Sequence, residues 1–213
     1  MLVKDIMVSN VITVTSDTYV LDAERIMEFH RIGRLPVVDK GKLVGLITKD
    51  DILKASPSST TPANQRQLFY LISKLTVKDI MKTNVVTVSP DTTVEKAVAI
   101  AQKNKIGCLP VVEGDRVLGI VSQTDAFYKI LCPLLGVGIA GTRIIIYDAG
   151  TKEESNKIMD IINKTGLRIK TFWIPPVGGR FDLVLHLETE DADTIMQHLR
   201  TLGYRVDIRE CTA

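Results

Sequence analysis

Two segments carry the residue types from which a polar ligand site could be built: Gly45-Leu46-Ile47-Thr48-Lys49-Asp50-Asp51 and Gly119-Ile120-Val121-Ser122-Gln123-Thr124-Asp125. Each sets a hydroxyl three residues ahead of a carboxylate. If a helix starts at that hydroxyl, both side chains gather around the free N–H groups of its first turn. A carboxylate offers two acceptor oxygens, enough for both hydroxyls of a ribose cis-diol. The hydroxyl, the free N–H groups and the positive end of the helix dipole suit a phosphate. The same spacing also describes a capping box, in which Thr48 or Ser122 caps the helix and Asp51 or Asp125 returns the hydrogen bond. The two readings are compatible, and Gly45 and Gly119 beside them would let a ligand approach.

The two segments belong to a longer repeat. Shifting the chain by 74 residues aligns residues 3–51 with 77–125 without a gap, and 22 of the 49 positions are identical. Val3-Lys4-Asp5-Ile6-Met7 recurs as Val77-Lys78-Asp79-Ile80-Met81, and Leu35-Pro36-Val37-Val38 as Leu109-Pro110-Val111-Val112. Such agreement records a duplication, and a duplication sets the architecture.

Each unit reads as short strand, helix, strand, strand, helix. Val11-Ile12-Thr13-Val14 and Val85-Val86-Thr87-Val88 are β-branched runs. Asp17-Thr18 and Asp91-Thr92 are helix starts, followed by apolar residues at helical spacing: Val20, Ala23, Ile26 and Met27, then Val94, Ala97, Ile100 and Ala101. A Leu-Pro-Val-Val strand, a turn and a second strand lead to the final helices at Thr48 and Ser122.

With these residues the pattern resembles the CBS domain in its tandem form, the Bateman module. The Val-Lys-Asp-Ile-Met opening, the Ile-Gly-x-Leu-Pro-Val-Val strand and the Thr/Ser-x-x-Asp ending carry the resemblance. It implies an adenine nucleotide (AMP, ADP or ATP) or a related adenosyl ligand between the repeats, with Asp51 and Asp125 on ribose. It also implies a base held by Val11, Ile12, Thr13, Ile32, Gly33, Arg34, Leu35 and Pro36, and by Val85, Val86, Thr87, Ile106, Gly107, Cys108, Leu109 and Pro110. Backbone amides at Gly33 and Gly107 would read the adenine edge. The two sites are unequal, because Arg34 of one repeat corresponds to Cys108 of the other. An arginine near a helix N-terminus favours a phosphate tail; a cysteine does not.

The domain boundaries read as 1–55 and 76–135 for the repeats, with a linker at 56–75 that includes an amphipathic helix from Gln65 to Leu75. A Gly-rich linker at 136–141 precedes a third unit at 142–213, read as strand, helix, strand, strand, helix, strand. That α+β order is ferredoxin-like and resembles the ACT domain, a small-molecule sensor. The resemblance makes Asp148, Ala149 and Gly150, at the first strand–helix junction, a possible ligand loop. In order of units the chain resembles the acetoin-utilisation B (AcuB) family, which implies a link to acetoin or acetyl-CoA metabolism.

The bulk numbers exclude more than they assign. Hydrophobic residues make up 45 %, charged residues 24 %, and the net charge is +2. This gives no field for nucleic acid or an anionic membrane. Cys108, Cys132 and Cys211 form no CxxC pair, a usage that suits a reducing cytosol. The start has no basic-then-apolar leader, and Ile130 to Ala140 is too short to span a bilayer. No nucleophile sits with a base, no carboxylates pair for catalysis, and His186 and His198 lack metal-ligand partners. The expectation is a cytoplasmic, non-catalytic regulator without metal, dimerising through its CBS pairs or ACT unit and acting on a protein partner. A constitutive scaffold, or a sensor of S-adenosylmethionine or an amino acid, is the alternative.

Overall fold

The computed structural model describes residues 1–55, 72–175, 179 and 181–209. The chain divides into two compact units, Met1–Ala126 and Phe127–Ala213. In the first unit each repeat opens with a single helical turn, α1 (Val3–Ile6) or α4 (Val77–Ile80), and continues into a longer helix, α2 (Val20–Phe29) or α5 (Val94–Asn104). A hairpin follows: β1 (Arg34–Asp39) with β2 (Lys42–Thr48), or β3 (Cys108–Glu113) with β4 (Arg116–Ser122). The closing helices are α3 (Lys49–Ala55) and α6 (Gln123–Ala126). Helix α2 buries Val20, Ala23 and Met27 on one face against Leu35, Val37 and Ile47 of the hairpin.

Two expectations are corrected here. The β-branched runs at 11–14 and 85–88 are not strands; each is reduced to one parallel bridge, Val14 with Val37 and Val88 with Val111. Val14 donates to the Pro36 carbonyl at 3.1 Å and accepts from Val38 at 2.8 Å. The next rung would need an N–H at Pro36, and proline has none. Pro110 stops the second run in the same way. The long helices also begin at Val20 and Val94, not at Asp17-Thr18 or Asp91-Thr92. Thr18 instead closes a turn with Thr15, receiving the Thr15 N–H on its hydroxyl at 3.2 Å.

The repeats are separate in sequence but interlocked in space. Val3 and Lys4 donate to the carbonyls of Thr92 and Pro90 in the second repeat, at 2.8 and 3.0 Å. Val77 and Lys78 donate to Thr18 and Ser16 in the first, at 2.8 and 3.0 Å. Val8 then bridges Ile120 as Lys82 bridges Leu46. Val77 is fully buried in the core of the first repeat. The boundaries 1–55 and 76–135 therefore cut across an exchange of the leading segments. Since Val-Lys-Asp-Ile-Met is identical in both copies, nothing in it says which repeat it packs on. The first compact unit ends at Ala126.

The second unit begins with a π-helical turn, Phe127–Leu131, and a short helix α7 (Cys132–Leu134). Gly136, Gly138 and Gly141 then adopt positive φ. The remaining elements are β5 (Thr142–Ile146), α8 (Lys152–Thr165), β6 (Ile169–Trp173), β7 (Leu183–Leu187), α9 (Asp193–Thr201) and β8 (Val206–Ile208). Their sheet runs β6-β7-β5-β8, every pair antiparallel. Ile144, Ile146, Ile158, Ile162, Leu185 and Leu199 form its core with the two helices. Of the helix expected at Gln65 to Leu75, Leu68, Phe69 and Leu71 lie outside the described residues, while residues 72–74 are helical.

Candidate functional site

At the start of α3 the Asp51 carboxylate folds back on Thr48. Its Oδ2 accepts from the Thr48 amide at 3.0 Å and from the Thr48 hydroxyl at 2.6 Å, and the Asp51 amide donates to that hydroxyl at 3.2 Å. Ser122 and Asp125 repeat the arrangement at 2.9, 2.6 and 3.2 Å. Both are capping boxes. In the first copy the other carboxylate oxygen, Asp51 Oδ1, meets Lys82 Nζ, delivered by the exchanged segment of the second repeat, at 3.2 Å. The position corresponding to Lys82 in the first repeat is Val8.

Burial pushes the Asp51 carboxyl up, but hydrogen bonds from Thr48 and Lys82 and the lysine charge outweigh it, holding the group below its ordinary 3.8. A depressed folded value means stabilisation that is complete above the unfolded value and is lost as pH falls through the folded one. The stability gap between wild type and Asp51→Asn therefore shrinks once pH drops below 3.8. Denaturant titrations over an acid series check this, and a gap that widens toward acid contradicts it.

Beside Thr48 lies a cavity of about 280 Å³, with walls drawn from both repeats. The first repeat supplies Gly33, Arg34, Leu46, Thr48, Lys49 and Asp50. The second supplies Lys82, Asn84, Val85, Val86 and the run Lys105 to Cys108. Four cations, Arg34, Lys49, Lys82 and Lys105, thus face one carboxylate, Asp50. The Arg34 guanidinium rests on the backbone of the opposite repeat: a Cβ added to Gly107 would lie 2.6 Å from Arg34 Nη2. Burial pushes the Cys108 thiol up, against the pull of Arg34 and Lys82, so it stands as a neutral wall.

This geometry regroups the residues expected from the sequence. Thr48, Gly33 and Arg34 join Val85, Val86, Gly107 and Cys108 in one cavity. Arg34 and Cys108, expected at separate sites, line the same one. Val11, Ile12, Thr13, Leu35, Pro36, Asp51, Thr87, Pro110 and Asp125 do not line it; Asp51 lies behind the wall, bonded to Thr48 and Lys82, which do. Leu35 is instead fully buried in the core. Leu109 and Ser122 line a second, mostly apolar groove of about 450 Å³ with Ile6, Val94, Ala97, Val98, Ala101 and Ala126. Gly45 and Gly119 do not serve ligand approach: an added Cβ at either would collide with the sulfur of Met81 or Met7. Lys82 was missed by motif reasoning, although the break in the repeat at Val8 was its visible signal.

In the second unit Asp148 takes a left-handed φ of 55° and its amide donates to Asp182 at 3.1 Å. Ala149 is fully buried, and Gly150 is pressed against the Phe181 carbonyl, where an added Cβ would lie 2.7 Å away. These contacts give all three residues packing duties in their own loop.

The CBS domain family matches residues 3–58 and 77–131. The chain is 35 % identical over 127 residues to an inosine-5'-monophosphate dehydrogenase of Korarchaeum cryptofilum, aligning with 59 % of this chain and 24 % of that enzyme. The chain thus spans about a quarter of the length of this curated relative. A putative acetoin utilization protein (AcuB) from Vibrio cholerae is similar in structure, with a TM-score of 0.54 and 32 % identity, over 63 % of this chain and 93 % of that one. CBSX2, solved in complex with AMP, gives a TM-score of 0.51 at 27 % identity, over 61 % of this chain and 96 % of that one. An internal repeat, a pair of Thr/Ser-x-x-Asp caps and a cavity walled by both copies agree with this family: the chain belongs to the CBS domain family, through a tandem pair of its repeats.

Proposed function

We propose that this chain is a regulatory sensor that binds an adenosyl ligand, an adenine nucleotide foremost, in the cavity between its repeats and passes its occupancy to a dimer contact or protein partner. The carrying observation is the cavity itself. It brings the Thr48 hydroxyl, the start of α3 and four cations to the walls of a space also lined by Val85, Val86 and Ile106. Apolar side chains suit a base; cations and a helix start suit a phosphate. Its 280 Å³ lies near the lower end of small-molecule sites, about 300–1,000 Å³. The complex of CBSX2 with AMP supports the same ligand class. In this reading Asp51 and Asp125 take ribose hydroxyls, the protein works in the cytoplasm without a catalytic step, and residues 142–213 form an ACT-type unit, which the strand order β6-β7-β5-β8 favours. A role in acetoin or acetyl-CoA metabolism follows only from the likeness to AcuB.

One observation favours a constitutive scaffold instead: both aspartates are already engaged in caps. Thermal unfolding with AMP, ADP, ATP and S-adenosylmethionine separates the readings. A ligand at a hundredfold excess over Kd adds about 2.7 kcal/mol of stability. Protein stripped of ligand whose melting temperature moves with none of the four is a scaffold.

A further inference from the structure

Resting on that adenosyl reading, we infer that Lys82 makes the Thr48 cavity selective for phosphorylated ligands, by guarding Asp51 until a phosphate draws the lysine away. Asp51 Oδ2 is held by Thr48 in the cap, so a ribose hydroxyl has Oδ1 to bind, and Oδ1 is where Lys82 Nζ sits, 3.2 Å away. Asp51 is nearly closed off, at 9 % exposure, whereas the Lys82 side chain is 63 % exposed on a flexible stem. The lysine is therefore the partner that moves, and it lines the cavity already.

A ligand without phosphate must displace Lys82 from Asp51 and leaves the four cations of the cavity with Asp50 as the one carboxylate on its walls. A phosphorylated ligand supplies that countercharge, with Arg34, Lys49 and Lys105 on the same walls. Phosphate binding and exposure of Asp51 Oδ1 to ribose thus become one event.

The duplication supplies an internal comparison. The positions corresponding to Lys82, Arg34, Lys49 and Lys105 are Val8, Cys108, Gln123 and Arg31. Three of the four cations have no counterpart there, and Val8 makes the same backbone bridge to Ile120 that Lys82 makes to Leu46. The exchange of segments is symmetric, while the charge is not. The exchanged segment beside Ser122 therefore brings Val8 to the place where the one beside Thr48 brings Lys82.

The test is isothermal titration of the full chain, stripped of ligand, with AMP and with adenosine. Wild type binds AMP at least about tenfold more tightly than adenosine, the scale of one charge-assisted contact. Lys82→Met, which keeps the alkyl stem, lowers AMP affinity by about tenfold and raises adenosine affinity, because Oδ1 is released. Val8→Lys, at an exposed position, raises AMP affinity at the second face. Equal binding of AMP and adenosine by wild type overturns the selectivity while leaving the adenosyl reading intact. An adenosine affinity that falls or stays level in Lys82→Met overturns the guarding role. Binding of neither ligand overturns both.

Discussion

Ile52→Ala loses about 2–5 kcal/mol of stability, and Met27→Ala a similar amount. Ile52 is 2 % exposed and Met27 1 %, and both belong to the apolar cluster that closes α2 and α3 onto the first hairpin. Truncation removes transfer energy and leaves a cavity that rigid neighbours only partly refill. The 74-residue shift shows what that site looks like when filled less well: the counterparts of Met27 and Ile52 are Ala101 and Ala126. Both alanines line the open groove of about 450 Å³ between α5 and α6. The reverse changes, Ala101→Met and Ala126→Ile, each raise stability, by about 0.5–2 kcal/mol as cavity-filling changes do. The two losses do not add fully, since both residues sit in one packed cluster. Urea titrations followed by circular dichroism measure this, because the single Trp173 reports the second unit. A cost below about 1 kcal/mol for Ile52→Ala would falsify the packing account.

How much of this was legible beforehand depends on whether the cause was local. The repeat, the hairpins and the inward face of α2 follow from spacing alone, and the sequence showed them. The missing first strands were also legible in principle, since Pro36 and Pro110 have no N–H to give the next rung. The exchange of leading segments was not legible, because Val-Lys-Asp-Ile-Met is the same in both copies. The missed pairing of Lys82 with Asp51 follows from that one ambiguity. Arg34 and Cys108 were set apart by repeat number, yet both line one cavity. Lys82 sits in the second repeat and pairs with a carboxylate of the first. Charges at corresponding positions can be counted from a sequence; which copy they face is decided by long-range pairing.

Gly45→Ala and Gly119→Ala separate packing from ligand access. Neither glycine has a positive φ, so alanine at either position meets no backbone strain, only neighbours. At Gly45 the added carbon collides with the Met81 sulfur and comes within 3.2 Å of the Lys82 carbonyl. At Gly119 it lies 2.5 Å from the Met7 sulfur and 3.1 Å from the Val8 carbonyl. A methionine side chain can swing aside. The carbonyls cannot do so freely, because the Lys82 carbonyl accepts from the Leu46 amide at 2.9 Å and the Val8 carbonyl from the Ile120 amide at 3.0 Å. Each substitution thus pushes on the bridge that fastens an exchanged segment, and costs about 1–3 kcal/mol, as overpacking does. Adding Met81→Ala to Gly45→Ala restores only part of the loss, since the carbonyl contact stays. If Gly45 instead existed to admit a ligand, its alanine variant would keep wild-type stability and lose adenosyl affinity. The geometry requires the opposite order of effects: stability falls first, and affinity falls only as far as the shifted Lys82 segment alters the cavity wall.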